Sequence, residues 1–125
     1  MAGEDGHSHV EYFSNQTKQW IKSAKYPYMS KIHDFEIVTH EDSFIIFGGR
    51  GPTRGTAVIA KFDTLSNAWT QVGFLRQRRH AFSVIQTESE YLVVGGTGTK
   101  MTETCKMSND RMTCFTRTPT LTHFR

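Results

Sequence analysis

Two glycine-rich stretches in this 125-residue chain contain the residue types that could bind a phosphate. They are FIIFGGRGPTRG at 44–55 and GGTGTK at 95–100. A dinucleotide-binding loop needs the pattern Gly-x-Gly-x-x-Gly, and Arg54 stands where its third glycine would be. A P-loop needs a Gly-Lys pair, and Thr99 stands where that glycine would be. No amphipathic helix follows either stretch, so the sequence predicts no phosphate-binding loop.

The two cysteines are a second place where chemistry could occur. In the segment CKMSNDRMTC, a two-residue turn at 109–110 would pair Cys105 with Cys114 across a hairpin. Counting outward from the turn makes this a non-hydrogen-bonded pair, in which Cα atoms are about 4.5 Å apart. Disulfides accept such a separation, so we predict a bond between the two; a reduced pair in a cytosolic protein is the alternative.

No pattern in the sequence indicates a catalytic or metal centre. His7 and His9 have a spacing that could hold a metal, but they lie in a polar terminus and are expected to be solvated. No grouping of serine, histidine and acid suggests a nucleophile. We therefore predict no catalytic residue, no metal and no cofactor.

The glycines belong to a repeat with a period of 47 residues. The segment KIHDFEIVTHEDSFIIFGG at 31–49 aligns without a gap on RRHAFSVIQTESEYLVVGG at 78–96. This alignment places His33 on His80 and the glycines on each other. Each segment is predicted to form a hairpin, with strands at 33–39 and 43–48 in the first segment and at 80–87 and 90–95 in the second.

A second motif recurs between these segments, namely an aromatic residue, six further residues and a tryptophan. It is FSNQTKQW at 13–20 and FDTLSNAW at 62–69, and MSNDRMTC at 107–114 keeps the spacing with Met107 and Cys114. One full repeat then has four short antiparallel strands and no helical periodicity. This pattern is typical of the blades of a β-propeller, and the predicted fold class is all-β.

Together these motifs resemble the kelch repeat family, most closely in KFDTLSNAWTQVGFL at 61–75 followed by RRHAFSVIQTESEYLVVGG at 78–96. The chain departs from the family pattern in lacking a proline before Arg78 and in having Cys114 where tryptophan is expected. The repeat positions predict structural roles: tight packing or turning at the double glycines, packing between blades for the tryptophans, and satisfied hydrogen bonding for the histidines. These residues are Gly48, Gly49, Gly95, Gly96, Trp20, Trp69, His33 and His80.

The resemblance divides the chain into parts of blades. Residues 1–31 would hold a tail and a half blade (strands 3 and 4), 32–77 and 78–121 one kelch blade each, and 122–125 the start of another. Propellers close with roughly 4 to 8 blades. We therefore expect an incomplete propeller that needs further blades from the same chain or from other chains.

The predicted strand directions separate the charges, although the net charge is only +3. Loops 2–3 and 4–1 emerge at one end of a propeller, which we call the basic end. They contain eight cations and no acid: Lys25, Lys31, Arg50, Arg54, Arg76, Arg78, Arg79 and Lys100. The turns at the opposite end contain Glu41, Asp42, Asp63, Glu88, Glu90 and Asp110.

The resemblance implies a non-catalytic interaction module, because kelch propellers commonly bind protein ligands with loops 2–3 and 4–1. An acidic protein ligand is expected, with partner-binding roles for Tyr26, Tyr28, Lys31, Arg50, Arg54, Arg76, Arg78 and Lys100. Two alternatives follow from other kelch-type proteins. The chain could belong to an extracellular oxidoreductase resembling galactose oxidase, with catalytic residues elsewhere, or to the substrate-recognition part of a ubiquitin ligase adaptor.

Other partners and the compartment are less determined by the sequence. The longest apolar runs, FIIF and YLVV, are too short to span a membrane. RQRRH at 76–80 is the one basic cluster, and the repeat places its end inside the first strand of a blade, so we predict no nucleic-acid partner. The start of the chain resembles no secretory signal. The predicted disulfide and the glycosylation sequon at Asn15 favour a secreted protein, and the cytoplasm is the alternative.

Overall fold

The computed structural model describes residues 9–97 and 101–117, and all regular structure in these ranges is β-strand. Ten strands follow one another along the chain. They are β1 (Glu11–Ser14), β2 (Gln19–Lys22), β3 (Glu36–His40), β4 (Ser43–Phe47), β5 (Val58–Asp63), β6 (Ala68–Phe74), β7 (Ser83–Gln86), β8 (Tyr91–Val94), β9 (Thr102–Ser108) and β10 (Arg111–Arg117). The all-β prediction is confirmed for this part of the chain.

The strands form one hairpin and two four-stranded antiparallel units. Strands β1 and β2 form the N-terminal hairpin; β3 to β6 pair in sequence order and form the first unit; β7 to β10 do the same in the second unit. A parallel pair between Gly73 and Met112 joins β6 to β10, and β3 and β7 contact each other. Successive units therefore lie side by side, and the fold is propeller-like.

Residues 47 positions apart adopt the same backbone conformation in the two units. Asp34 and Ala81 both have positive φ, 57° and 54°. An isolated bridge joins His33 to Arg50, and its counterpart joins His80 to Thr97. Because the positive φ interrupts the extended conformation, strands β3 and β7 begin three residues later than the predicted starts at 33 and 80.

The double glycines stand at the ends of β4 and β8, and all four residues have positive φ. A Cβ on Gly48 would approach the carbonyl oxygen of Arg79 to 2.7 Å, and one on Gly96 would approach the side chain of Phe82 to 2.7 Å. Gly95 has open space around it, so only its backbone conformation requires glycine.

Two apolar cores hold the parts together. The larger core lies between the two units, where Phe47 of β4 packs against Tyr91 of β8 with ring centroids 5.5 Å apart. The smaller core lies between the first unit and the segment after the N-terminal hairpin, where the ring of the buried Tyr26 lies 5.0 Å from that of Trp69. Side chains alternate along each strand, so each unit presents one face to the preceding unit and the other to the following unit.

The β9–β10 hairpin has the predicted register. Asn109 and Asp110 form the two-residue turn, both with positive φ, and Cys105 lies opposite Cys114 with Cα atoms 4.0 Å apart. The sulfur atoms are 2.10 Å apart, at bonding distance. The predicted pairing of the two cysteines is confirmed.

The strand register places this disulfide at a different position in the repeat from the one that the spacing motif predicted. Tyr91 pairs with Cys105 as Phe44 pairs with Phe62, so Cys105, rather than Met107, corresponds to the aromatic residue of the motif. The hairpin is longer than its counterpart and its turn is shorter by two residues. The disulfide therefore occupies the position of the Phe62–Trp69 pair.

The two tryptophans have different environments. Trp69 is half-buried, lies 5.0 Å from the ring of Tyr26, and donates its Nε1 hydrogen to the carbonyl of Ala24 at 2.8 Å. Trp20 is 69% exposed and contacts Phe13 of its own hairpin. The expectation of packing between blades therefore fails for Trp20 within the described chain, because no preceding unit covers it.

Candidate binding surface at the basic end

The segments that connect the second strand of a unit to its third, and the fourth strand to the next unit, lie at one end of the molecule. They are the segments between β2 and β3, β4 and β5, β6 and β7, and β8 and β9. Backbone hydrogen bonds join them across units: Gly49 donates to the carbonyl of Arg79, and Ala81 donates to that of Asp34. These segments form the basic end defined from the sequence, so the structure gives it a connected scaffold.

A cleft of about 320 Å³ lies on this end between three of the connecting segments. Its apolar wall includes Met29, Val58 and Phe74, and the side chain of Phe74 is 55% exposed. Arg54 and Arg78 line the same cleft and are both exposed. The cleft therefore combines apolar surface with two guanidinium groups, and none of the described residues that line it is an acid.

Most of the other predicted partner-binding cations are also accessible. Lys31 and Arg76 are exposed, and Arg50 is half-buried. Like Arg54 and Arg78, these three have no ion-pair partner among the residues that the structure describes. Lys100 lies outside the described residues. Unpaired guanidinium and ammonium groups remain available to an incoming carboxylate.

Arg79 is an exception, and its expected place on the surface is wrong. Its guanidinium group is fully buried and lies 2.8 Å from the carboxylate of Glu103, which is also fully buried. Further hydrogen bonds go to the carbonyls of Gly95 and Met101, at 3.1 and 2.6 Å. Arg79 therefore holds segments together and contributes no net charge to the surface.

The two predicted aromatic anchors differ in accessibility. Tyr26 is only 3% exposed because it packs edge-on against Trp69, so it cannot be the exposed anchor that was expected. Burial raises the pKa of its hydroxyl well above the usual value, and neighbouring Tyr28 raises it further. Tyr28 is half-buried and lines the cleft, where its ring can contact a ligand.

Two histidines and one acid also lie at the basic end. The Nδ1 atom of His33 lies 3.1 Å from the carbonyl of Lys31, whereas the Nδ1 atom of His80 is buried without a partner among the described residues. The Nδ1 atom of His33 therefore has a backbone partner, whereas that of His80 has none among the described residues. Asp34 is exposed beside His33, at 3.9 Å, and is an acid that the predicted loop boundaries left out.

Several acids at the opposite end are paired. Asp110 accepts a hydrogen bond from the ammonium group of Lys61 at 2.9 Å, and this contact holds the pKa of the carboxyl below its usual value. The carboxylate of Glu90 lies 3.4 Å from the ammonium group of Lys106. The acidic end is therefore partly neutralised by lysines of the adjacent strands.

One grouping of potential metal ligands exists among the described residues, and it is already engaged. Atoms of Glu103, Cys105 and Cys114 lie within 4.8 Å of one another. The two sulfur atoms are bonded to each other, and the carboxylate also accepts hydrogen bonds from the backbone amides of Arg76 and Gln77, at 2.6 and 3.1 Å. This grouping offers no free ligand set.

Asn15 is exposed in the turn between β1 and β2, at the end opposite the cleft. None of the described residues forms a helix long and apolar enough to cross a membrane.

Sequence reasoning missed the apolar part of the cleft. Met29 was overlooked beside the two tyrosines of its segment, and the segment after Phe74 was considered only for its charges. An aromatic residue at the end of a strand beside a basic loop was a usable signal. The burial of Arg79 had no such signal, because its partner Glu103 is 24 residues away in the sequence.

Comparison with known proteins supports the fold alone. No protein family matches this chain, and no curated protein matches it. A solved structure entitled "Structure of YjhT" is similar, with a TM-score of 0.72 and 11% sequence identity over 96% of this chain and 48% of that chain. The chain thus spans about half the length of the structure it matches.

Proposed function

We propose that this chain is a non-catalytic, kelch-type protein-interaction module whose basic end binds acidic segments of a protein ligand. The observation that carries the proposal is the cleft between Arg54 and Arg78, which joins two unpaired guanidinium groups to an apolar wall. A guanidinium group can donate two parallel hydrogen bonds to one carboxylate. Exposed Phe74 beside them would bury an apolar side chain of the same ligand.

The charge distribution also supports binding at the basic end. Apart from Arg79, the described cations of the basic end are unpaired, whereas Asp110 and Glu90 at the other end have lysine partners. An acidic ligand is therefore expected to bind at the basic end rather than at the other end. The kelch assignment itself is supported by the repeated glycine pairs and by the aromatic motif of the sequence.

A labelled peptide tests the proposal. The probe is a fluorescein-labelled decapeptide of glutamates with one central leucine, and the matched control replaces each glutamate with glutamine. We expect saturable binding of the acidic peptide alone, measured by fluorescence anisotropy, with an affinity that falls as salt is raised from 50 to about 300 mM.

Charge-reversal variants locate the site on the surface. Replacing Arg54 and Arg78 together by glutamate should weaken binding about tenfold or more, while Glu41→Lys with Glu88→Lys should not weaken it. Equal losses from the two pairs, or binding of the glutamine peptide with the same affinity, would remove the assignment to the basic end.

A further inference from the structure

The N-terminal hairpin presents an exposed aromatic pair. Phe13 and Trp20 lie directly opposite each other in β1 and β2, with ring centroids 5.6 Å apart. The side chains are 46% and 69% exposed. Two large aromatic side chains in contact and open to water are the type of surface that marks an interface.

The chain itself shows what covers a pair of this kind. Phe62 and Trp69 form the corresponding pair in the first unit, with centroids 5.0 Å apart. There Phe62 is fully buried: Tyr12 of the preceding hairpin lies 6.3 Å from Phe62, and Tyr26 of the segment after that hairpin lies 5.0 Å from Trp69. The face that one unit turns toward the next is therefore the natural cover for the pair.

The second unit has such a face with no unit following it in the described chain. We call it the forward face. It exposes three large apolar side chains, of which Val94 corresponds by the 47-residue period to Phe47. Phe47 is fully buried against Tyr91 of the following unit. The forward face is formed by Ile85, Val94 and Phe115, which are 52%, 37% and 54% exposed.

We propose that two copies of this chain associate head to tail, so that the forward face of one copy covers the Phe13–Trp20 pair of the other. The two surfaces are different, and such an interface closes into a ring when the rotation between copies permits it. We propose a ring of two copies, which would have about the length of the similar solved structure, of which this chain covers 48%. The proposal does not depend on the acidic-ligand proposal.

Sedimentation velocity on the 125-residue chain over a range of concentrations tests this association. We expect a reversible dimer of twice the chain mass. Trp20→Ser and Phe115→Ser should each raise its dissociation constant about tenfold or more, because each removes a buried aromatic anchor. Leu65→Ser is the matched control: Leu65 is 80% exposed in the turn between β5 and β6, on neither surface. Circular dichroism shows that each variant is folded.

Mixing the two variants distinguishes head-to-tail association from other modes. A Trp20→Ser chain keeps its forward face and a Phe115→Ser chain keeps its aromatic pair, so the mixture recovers one intact interface and dimerises more tightly than either variant alone. A chain that stays monomeric at all concentrations overturns the proposal. A dimer whose dissociation constant is unchanged by Phe115→Ser also overturns it. Assemblies larger than a dimer, increasing in size with concentration, would overturn the closed ring of two copies.

Discussion

The carboxylate of Glu103 and the guanidinium group of Arg79 form an ion pair, 2.8 Å apart and fully buried, where the first unit has Ala60 and Ile32. The correspondence follows from the 47-residue period for Arg79 and from the strand register for Glu103, which pairs with Val93 as Ala60 pairs with Ile46. Equivalent positions of the two units thus hold an ion pair in one case and an apolar contact in the other.

Removing one partner of this pair is expected to destabilise the chain strongly. Arg79→Leu leaves a buried carboxylate without its cation and should lower the free energy of unfolding by about 3–5 kcal/mol. The double variant Arg79→Ile with Glu103→Ala reproduces the contact of the first unit and should recover much of that loss. Urea denaturation followed by circular dichroism measures both.

The recovery should be incomplete because Glu103 has a second role. Its carboxylate accepts hydrogen bonds from the backbone amides of Arg76 and Gln77, and losing them costs about 1 kcal/mol each. A double variant no more stable than Arg79→Leu would contradict the view that the pair substitutes for an apolar contact.

The contrast between these positions shows what the sequence could predict. The period of 47, the double glycines and the cysteine register depend on local patterns, and they predicted the all-β fold and the facing cysteines. The partner of Arg79 could not be predicted, because its counterpart Ile32 has no charge to pair. Tyr26 was wrongly predicted to be exposed, because its burial depends on the packing of its segment against Trp69, which is distant in the sequence.

The Cys105–Cys114 disulfide should contribute measurable stability. It closes a segment with a sequence separation of 9, for which the chain-entropy relation gives about 2–3 kcal/mol. Reductant should therefore lower the urea midpoint of the native chain and leave that of a Cys105→Ser, Cys114→Ser chain unchanged.

Intact-mass measurement after alkylation, on protein from its native compartment, tests the prediction that the protein is secreted. Two freely alkylated thiols would contradict that prediction.

The buried hydroxyl of Tyr26 should make stability depend on alkaline pH. This hydroxyl has no hydrogen-bond partner among the described residues, and burial raises its pKa above the usual 10.0. The folded chain therefore retains a proton that the unfolded chain releases, so this contribution to stability is complete below pH 10 and is lost as pH rises above it.

Replacing Tyr26 by phenylalanine tests this dependence. Tyr26→Phe should raise the free energy of unfolding by up to about 1 kcal/mol at pH 7, since it removes an unsatisfied buried hydroxyl. It should also reduce the fall in stability above pH 10. Tyr28→Phe is the control, because Tyr28 is less buried and should change the alkaline slope less. The same slope in the Tyr26→Phe chain as in the native chain would count against the burial of this hydroxyl.

The contact between the two units should be sensitive to a single methyl group at Gly73. A Cβ there would collide with the carbonyl oxygen of Met112, the residue with which Gly73 pairs in the parallel bridge, and would lie 3.1 Å from the Cβ of Met112. Gly73→Ala is expected to lower the free energy of unfolding by about 1–3 kcal/mol, because β6 and β10 must move apart.

The matched control is Gly55→Ala. A Cβ on Gly55 would have its nearest neighbour 3.6 Å away, and the φ of Gly55 is not positive. This control should be neutral or stabilising by about 0.4–1 kcal/mol through the unfolded state. Equal losses in the two variants, measured by urea denaturation, would show that the close approach of β6 and β10 does not hold the units together.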